Sequence, residues 1–287
     1  MDEINTNQMK YYKLITSEHN LFDLKLKEVW KYRDLIILFT KRNFQVRYKQ
    51  TILGPAWLFL NPIISSLIYC FIFGGIAGIS TGEIPQMLFY MSGNAVWAFF
   101  TGCVTKNAST FTANASVFGK VYFPRLTIPI SNVLTSILEF CIQMIMTLVF
   151  LVYYLFLGSV HPNFATWPLI LLVLVELGIM GMGVGIIISS LTTKYRDLSI
   201  LVSFAVQLWM YITPVVYPLS QAGSKGLRMV LLLNPVTAPT EVFRYAFLGQ
   251  GEIVPFALAW SVIFTVVVAA FGVLVFNKVE KTFMDTV

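Results

Sequence analysis

The feature that most constrains this chain is the length of its uncharged stretches. No Asp, Glu, Lys or Arg interrupts residues 84–105, 140–175, 198–224 or 253–277. A helix rises 1.5 Å per residue, so crossing roughly 30 Å of hydrocarbon takes about 20 mainly apolar residues. Each stretch is long enough. A soluble domain carries charge on about a quarter of its residues, against 12% here. The fold class these runs dictate is an all-α polytopic membrane protein.

Apolar runs between charged or Pro/Gly breaks predict six transmembrane helices, near residues 56–78, 86–106, 128–157, 168–191, 199–217 and 254–276. Ten Lys and Arg lie in residues 1–55, three in 106–127, two in 192–198 and two in 277–287, with none in 79–85 or 158–167. The positive-inside rule then puts both termini in the cytoplasm. The chain divides into a cytoplasmic N-terminal segment (1–55), a membrane domain (56–276) and a cytoplasmic tail (277–287). No short apolar core with a small-residue cleavage site occurs in the polar start, so the first span is expected to act as its own insertion signal.

Two segments depart from this plain plan. Residues 218–253 carry Lys225, Arg228 and Arg244 on the outer side, and their apolar stretch is broken by Pro235 and Pro239. Neither half is long enough to span. Two short helices forming a periplasmic re-entrant hairpin satisfy this pattern, as do two helices lying flat on the surface. Between Lys25 and Gln50, eight basic residues face two acidic ones and alternate with Trp30, Leu35, Ile36, Leu38, Phe39, Phe44 and Tyr48. This predicts an N-terminal amphipathic interfacial helix at the inner leaflet, although a topology anchor explains the same charges.

Several chemistries find no support. The chain lacks a G-x-x-x-x-G-K-[ST] loop to cradle nucleotide phosphates, and Gly181 to Gly185, "GMGVG", falls inside a span, where close helix packing is expected. Cys70, Cys103 and Cys141 lie singly in apolar runs, so neither a disulfide nor a metal site is expected. No internal repeat of the secondary-transporter kind is evident. Glu139 and Glu176 lie within spans three and four, where an ionisable group is costly. A proton-coupled pathway would use such a pair; a hydrogen bond from each to a neighbouring helix is simpler, and no Lys, Arg or His within the spans completes a relay.

Four motifs carry a resemblance: "VRYKQTILGPAWLFLNP" (Val46 to Pro62), "GKVYFPRLTIPIS" (Gly119 to Ser131), "TTKYRDLSILVSFAVQLWMYITPVVYP" (Thr192 to Pro218) and "LNPVTAPTEVFRYAFLG" (Leu233 to Gly249). In this order, with six spans between them, the chain resembles the type-two ABC exporter permeases, and within them the O-antigen polysaccharide export permeases of bacteria. The resemblance implies a transport subunit and not an enzyme. It implies a homodimer in the bacterial inner membrane joined to two copies of a separate ABC ATPase, which binds ATP and Mg. The cargo it implies is an undecaprenyl-pyrophosphate-linked polysaccharide; nucleic acid has no part.

The same resemblance implies site residues. A coupling helix near 117–127, matched to Gly119–Arg125, would meet the ATPase through Lys120, Tyr122, Phe123 and Arg125, with Pro124 ending it. A second contact would use Tyr195, Arg196 and Asp197. The substrate gate falls at Thr51–Pro55, containing Leu53 and Gly54, where Arg42, Arg47 and Lys49 suit pyrophosphate oxygens; membrane anchoring explains these cations as well. Tyr69, Phe73, Trp97, Phe100, Trp209 and Tyr211 are candidate channel aromatics. Glu241 and Arg244, one helical turn apart, would help close the outer mouth or simply pair within the hairpin. A proton-coupled lipid-linked-sugar flippase and a membrane-embedded enzyme acting on a lipid-linked glycan are the competing functions.

Overall fold

The longest apolar runs become helices that begin where the backbone permits and end where glycine releases it. The structure, a computed structural model, describes residues 26–49, 54–192 and 197–286. Among these, five helical segments are long and apolar enough to cross a membrane. They are α3 (Trp57–Tyr69), which continues as a π-helical turn over Cys70–Ile76, α4 (Gln86–Ala108), α7 (Thr127–Phe156), α8 (Pro168–Thr192) and α12 (Pro255–Thr286). Proline opens α8 and α12, where its missing N–H costs nothing. Gly158, at φ 67°, lets the chain leave α7 in a left-handed turn.

The expected fifth span, near 199–217, is shorter than predicted. Its helix, α9 (Leu198–Tyr211), has 14 residues, about 21 Å of rise, which falls short of the hydrocarbon core. Residues 212–217 turn instead of continuing it. Asn234 makes that early ending possible. Its Nδ2 donates to the Ile212 carbonyl and to Thr213 Oγ1, both at 2.8 Å, while its Oδ1 accepts from Trp209 Nε1 at 3.0 Å and from the Val236 amide at 3.1 Å. A helix end in an apolar setting needs its carbonyls satisfied within the protein: Asn234 takes that of Ile212, while the Thr213 and Tyr217 hydroxyls take those of Trp209 and Tyr211.

The bundle is built around α4. Its apolar window is 78% buried, against 11% for α3 and 17% for α12, yet its mean hydropathy is the lowest of the five. A helix enclosed by other helices need not be uniformly greasy. α8 packs along α4 through the glycines of "GMGVG": a Cβ on Gly185 would sit 2.6 Å from the Val104 carbonyl, and one on Gly181 2.7 Å from the Cys103 Cβ. Gly183, on another side of α8, meets α12 at Val268. The run is therefore a two-sided packing seam, in agreement with the expectation from sequence.

The region before the first span is α1 (Leu26–Lys31) and α2 (Arg33–Tyr48). Val29, Ile36 and Phe39 are buried in the protein, while Trp30, Ile37, Leu38 and Val46 are exposed. α2 is therefore apolar on two sides, which differs from an amphipathic helix with a single greasy face. Its contacts with α7 advance in the same direction along both helices, from Thr40 with the Ser131 carbonyl to Asn43 with Asn132 and Arg47 with Glu139. α2 runs alongside α7 and does not lie across it.

In the segment 218–253 two short helices form, α10 (Lys225–Leu233) and α11 (Thr237–Leu248). Ser224 caps α10 by accepting the Leu227 amide, and Gly249, at φ 75°, ends α11. Nearly every residue of α11 is buried against the bundle.

Candidate functional site

Between α4 and α7 the chain makes two short helices, α5 (Thr110–Ala113) and α6 (Ala115–Phe118), and then a non-helical stretch over 119–124. Gly119–Arg125, expected as a coupling helix, are not helical: the helical turns precede Gly119, and Pro124 follows an already irregular loop. Phe123 is buried, ringed by Phe39 at 5.7 Å and Phe118 at 5.8 Å, so it anchors the loop instead of presenting itself. Arg125 lies over the Phe118 ring at 5.4 Å. Lys120, Val121 and Tyr122 form the exposed tip, with Tyr122 61% exposed.

The base beneath that tip is rigid for identifiable reasons. Phe111 stacks on Phe276 of α12 at 5.1 Å, and the Phe111 amide donates to Ser189 Oγ at the end of α8. Arg42 reaches from α2 to Asn114 Oδ1 at 3.3 Å. Three other elements therefore hold this loop, and its displacement would be felt by α2, α8 and α12. Asp197, proposed for a second contact, is exposed just before α9; Tyr195 and Arg196 lie outside the described residues.

A polar cavity of about 680 Å³ opens among α2, α3, α4 and α7. Three polar stripes at helical spacing converge on it: Asn61 and Ser65 from α3, Asn94, Thr101 and Thr105 from α4, and Ser136, Glu139 and Gln143 from α7. Glu139 Oε1 accepts from Arg47 Nη1 at 3.0 Å, and its Oε2 accepts from Lys106 Nζ at 2.7 Å. Lys106 also donates to Ser136 Oγ at 3.0 Å.

This corrects the view that no cation lies within the spans. Lys106, assigned from sequence to the loop after span two, sits inside α4 with its side chain 18% exposed. Its role went unread because a lysine ending an uncharged run looks like a boundary. The signal available was the Asn94, Thr101, Thr105 stripe, which points to a polar face along α4.

Of the residues assigned to the gate, Arg47 is paired with Glu139, Arg42 is engaged with Asn43 and Asn114, and Lys49 is exposed after α2. Gly54, at φ 50°, begins a 3-10 turn leading into α3, and Leu53 lies outside the described residues.

Glu176 faces a different neighbour from Glu139. Ser261 Oγ of α12 lies 2.5 Å from Glu176 Oε1 and 2.6 Å from the Pro235 carbonyl. A hydroxyl has one proton, and a carbonyl can only accept. With that proton given to Pro235, the contact to Glu176 is satisfied when the carboxyl is a neutral donor. The two acids do not form a pair, and each bonds a neighbouring helix.

Most of the candidate aromatics pack together inside the subunit. Phe100 is fully buried and meets the Trp209 edge at 5.3 Å and Trp97 at 5.7 Å; Tyr69 contacts Phe73 and Tyr90. Tyr211 is exposed, and its carbonyl accepts the Tyr217 hydroxyl.

On α11, Arg244 is 1% exposed. Its Nη1 donates to Glu241 at 3.0 Å, its Nη2 donates to the Val215 carbonyl at 2.8 Å, and the guanidinium lies 4.0 Å over Phe89. Burial pushes its pKa below the usual range, and the Glu241 carboxylate opposes that shift. The Glu241 Oε2 accepts the Glu252 amide at 2.9 Å. The local ion pair therefore exists, and it also ties α11 to α4 and to the turn after α9.

Polar side chains gathered inside a bundle of apolar helices give a hydrophilic group somewhere to sit in lipid, which is what a membrane permease needs. A family model described as "ABC-2 type transporter" matches residues 34–248. The chain is 30% identical over 257 residues to an O-antigen export system permease protein RfbA of Klebsiella pneumoniae, covering 88% of this chain and 94% of that protein. It is 31% identical over 227 residues to the protein of the same name from Myxococcus xanthus, covering 77% and 83%. The chain belongs to the ABC-2 type transporter family, and it is homologous to O-antigen export permeases.

Proposed function

We propose that the chain is the membrane subunit of an ATP-driven exporter that moves undecaprenyl-pyrophosphate-linked polysaccharide out of the cytoplasmic leaflet of the bacterial inner membrane. It works as a homodimer with two copies of a separate ATPase, which binds ATP and Mg. Both termini face the cytoplasm, with α9 and the turn after it completing a sixth crossing, and α10 and α11 form a re-entrant hairpin at the outer mouth. The observation that carries this reading is the kinship with O-antigen export permeases along most of the chain. The exposed tip Lys120–Tyr122, seated on a base that touches α2, α8 and α12, supports a coupling role, since a push there would be passed on.

The test is reconstitution in vesicles with and without a partner ABC ATPase. Export of lipid-linked glycan is expected to require the ATPase and ATP and to persist when the proton gradient is collapsed. Export driven by a proton gradient without the ATPase would overturn the reading in favour of the flippase.

A further inference from the structure

We propose that Glu139 is a resident counter-ion, holding Arg47 and Lys106 at the wall of the polar cavity until the phosphate of an anionic headgroup takes its place. The inference rests on the exporter reading insofar as Arg47 is one of the cations assigned there to the substrate. Lys106, Glu139 and the displacement are additions to it.

The two carboxylate oxygens of Glu139 are divided between cations from two other elements, Arg47 of α2 and Lys106 of α4. A phosphate group presents paired oxygens in the same manner, so the cations need little rearrangement to exchange one anion for the other. Once the carboxylate swings away, the positions it occupied beside Arg47 and Lys106 are open to phosphate oxygens. An ion triad serving stability alone would be sealed by packing. This one borders a cavity of about 680 Å³, and Arg47 is 57% exposed at its edge.

A second observation points to an absent ligand. Gln143 lies one turn beyond Glu139 on α7, lines the same cavity and is more than nine-tenths buried. Its Nε2 has no hydrogen-bond partner among the described residues. A buried donor without an acceptor is costly, and an oxygen-rich headgroup would supply one. At rest, the carboxylate spares Lys106 an unpaired charge in a low-dielectric site.

The test uses the full complex with its ATPase in zwitterionic nanodiscs, probed with farnesyl pyrophosphate, farnesol and inorganic pyrophosphate. Wild type is expected to bind farnesyl pyrophosphate and not farnesol. Glu139→Gln, which removes the competitor, should tighten binding about fivefold, Lys106→Gln should weaken it about tenfold, and Lys106→Arg should stay within about threefold of wild type. Stronger binding of farnesyl pyrophosphate than of inorganic pyrophosphate assigns the seat to a lipid headgroup; equal binding assigns it to a free phosphate.

Unchanged or weaker binding in Glu139→Gln overturns the displacement. Should that variant fail to fold, equal binding of farnesol and farnesyl pyrophosphate by wild type, or undiminished binding in Lys106→Gln, overturns it instead. ATP-dependent export is scored in the same preparation. Export without pyrophosphate binding removes this inference alone, whereas pyrophosphate binding without ATP dependence removes the exporter reading and leaves the seat.

Discussion

Arg244 makes three different interactions at once, and each uses the flat shape of a guanidinium. One nitrogen reaches Glu241, another reaches the Val215 carbonyl, and the face rests on Phe89. A lysine ammonium is a single point and cannot divide itself among these partners. Arg244→Lys should therefore destabilise the folded subunit by about 2–4 kcal/mol, approaching the cost of breaking a buried pair, measured as loss of thermal stability in detergent. Glu176 predicts the opposite behaviour. A glutamine side chain keeps a hydrogen-bonding partner for the Ser261 hydroxyl, so Glu176→Gln should leave export near the wild-type level. Loss of export in that variant, with normal accumulation in the membrane, would restore a proton-carrying role. The sequence marked both Glu139 and Glu176 as suspects but had no means of separating them. Their partners, Lys106 and Ser261, lie 33 and 85 residues away.

At the scale of elements, glycine spacing decides how closely α4 and α8 approach. A methyl group on Gly185 would meet the Val104 carbonyl at 2.6 Å, and backbone cannot step aside cheaply. On Gly178 it would come no nearer than 3.4 Å, to a flexible Val133 methyl. Gly185→Ala should cost about 1–3 kcal/mol through overpacking, and Gly178→Ala should be nearly neutral. Comparing the two variants by thermal unfolding tests the seam directly. Such seams, and the long spans, were legible because periodicity and length are local properties. The shortness of α9 was not. Its apolar run continues through residues 212–217; Pro214 weighs against further helix, and Asn234, brought in from the junction of α10 and α11, holds the turn that follows. The course of α2 was hidden for a related reason: composition shows that a helix is apolar, whereas only its partners show whether it lies in an interface or climbs beside α7. Within the segment Gly119–Arg125, Phe123 reads as a contact residue until Phe39 and Phe118 are seen around it.

For the molecule as a whole, the exposed tip and the buried base of the loop between α4 and α7 make separable predictions. Tyr122→Ala removes a side chain that is 61% exposed, so subunit stability should hold while ATP-driven export falls about tenfold or more. Arg125→Glu should also uncouple ATP hydrolysis from export, and it should cost some stability because Arg125 packs over Phe118. Export and ATPase rates measured together in reconstituted complexes check both variants. Unchanged export in the two would remove this loop from the coupling path.

The central position of α4 has a consequence for how the protein is made. The helix at the centre of the bundle is also the least hydropathic of the five, and it carries Lys106 in its last turn. Transfer of a segment from the insertion machinery into lipid favours the greasiest sequences and penalises lysine, so α4 is the poorest candidate to leave on its own. α3 and α7, with greater mean hydropathy, flank it in the chain. Assembly must therefore proceed by sheltering: α4 stays beside its neighbours until α7 arrives with Glu139 to neutralise the lysine, and only then does the post around which the bundle is organised become at home in the bilayer.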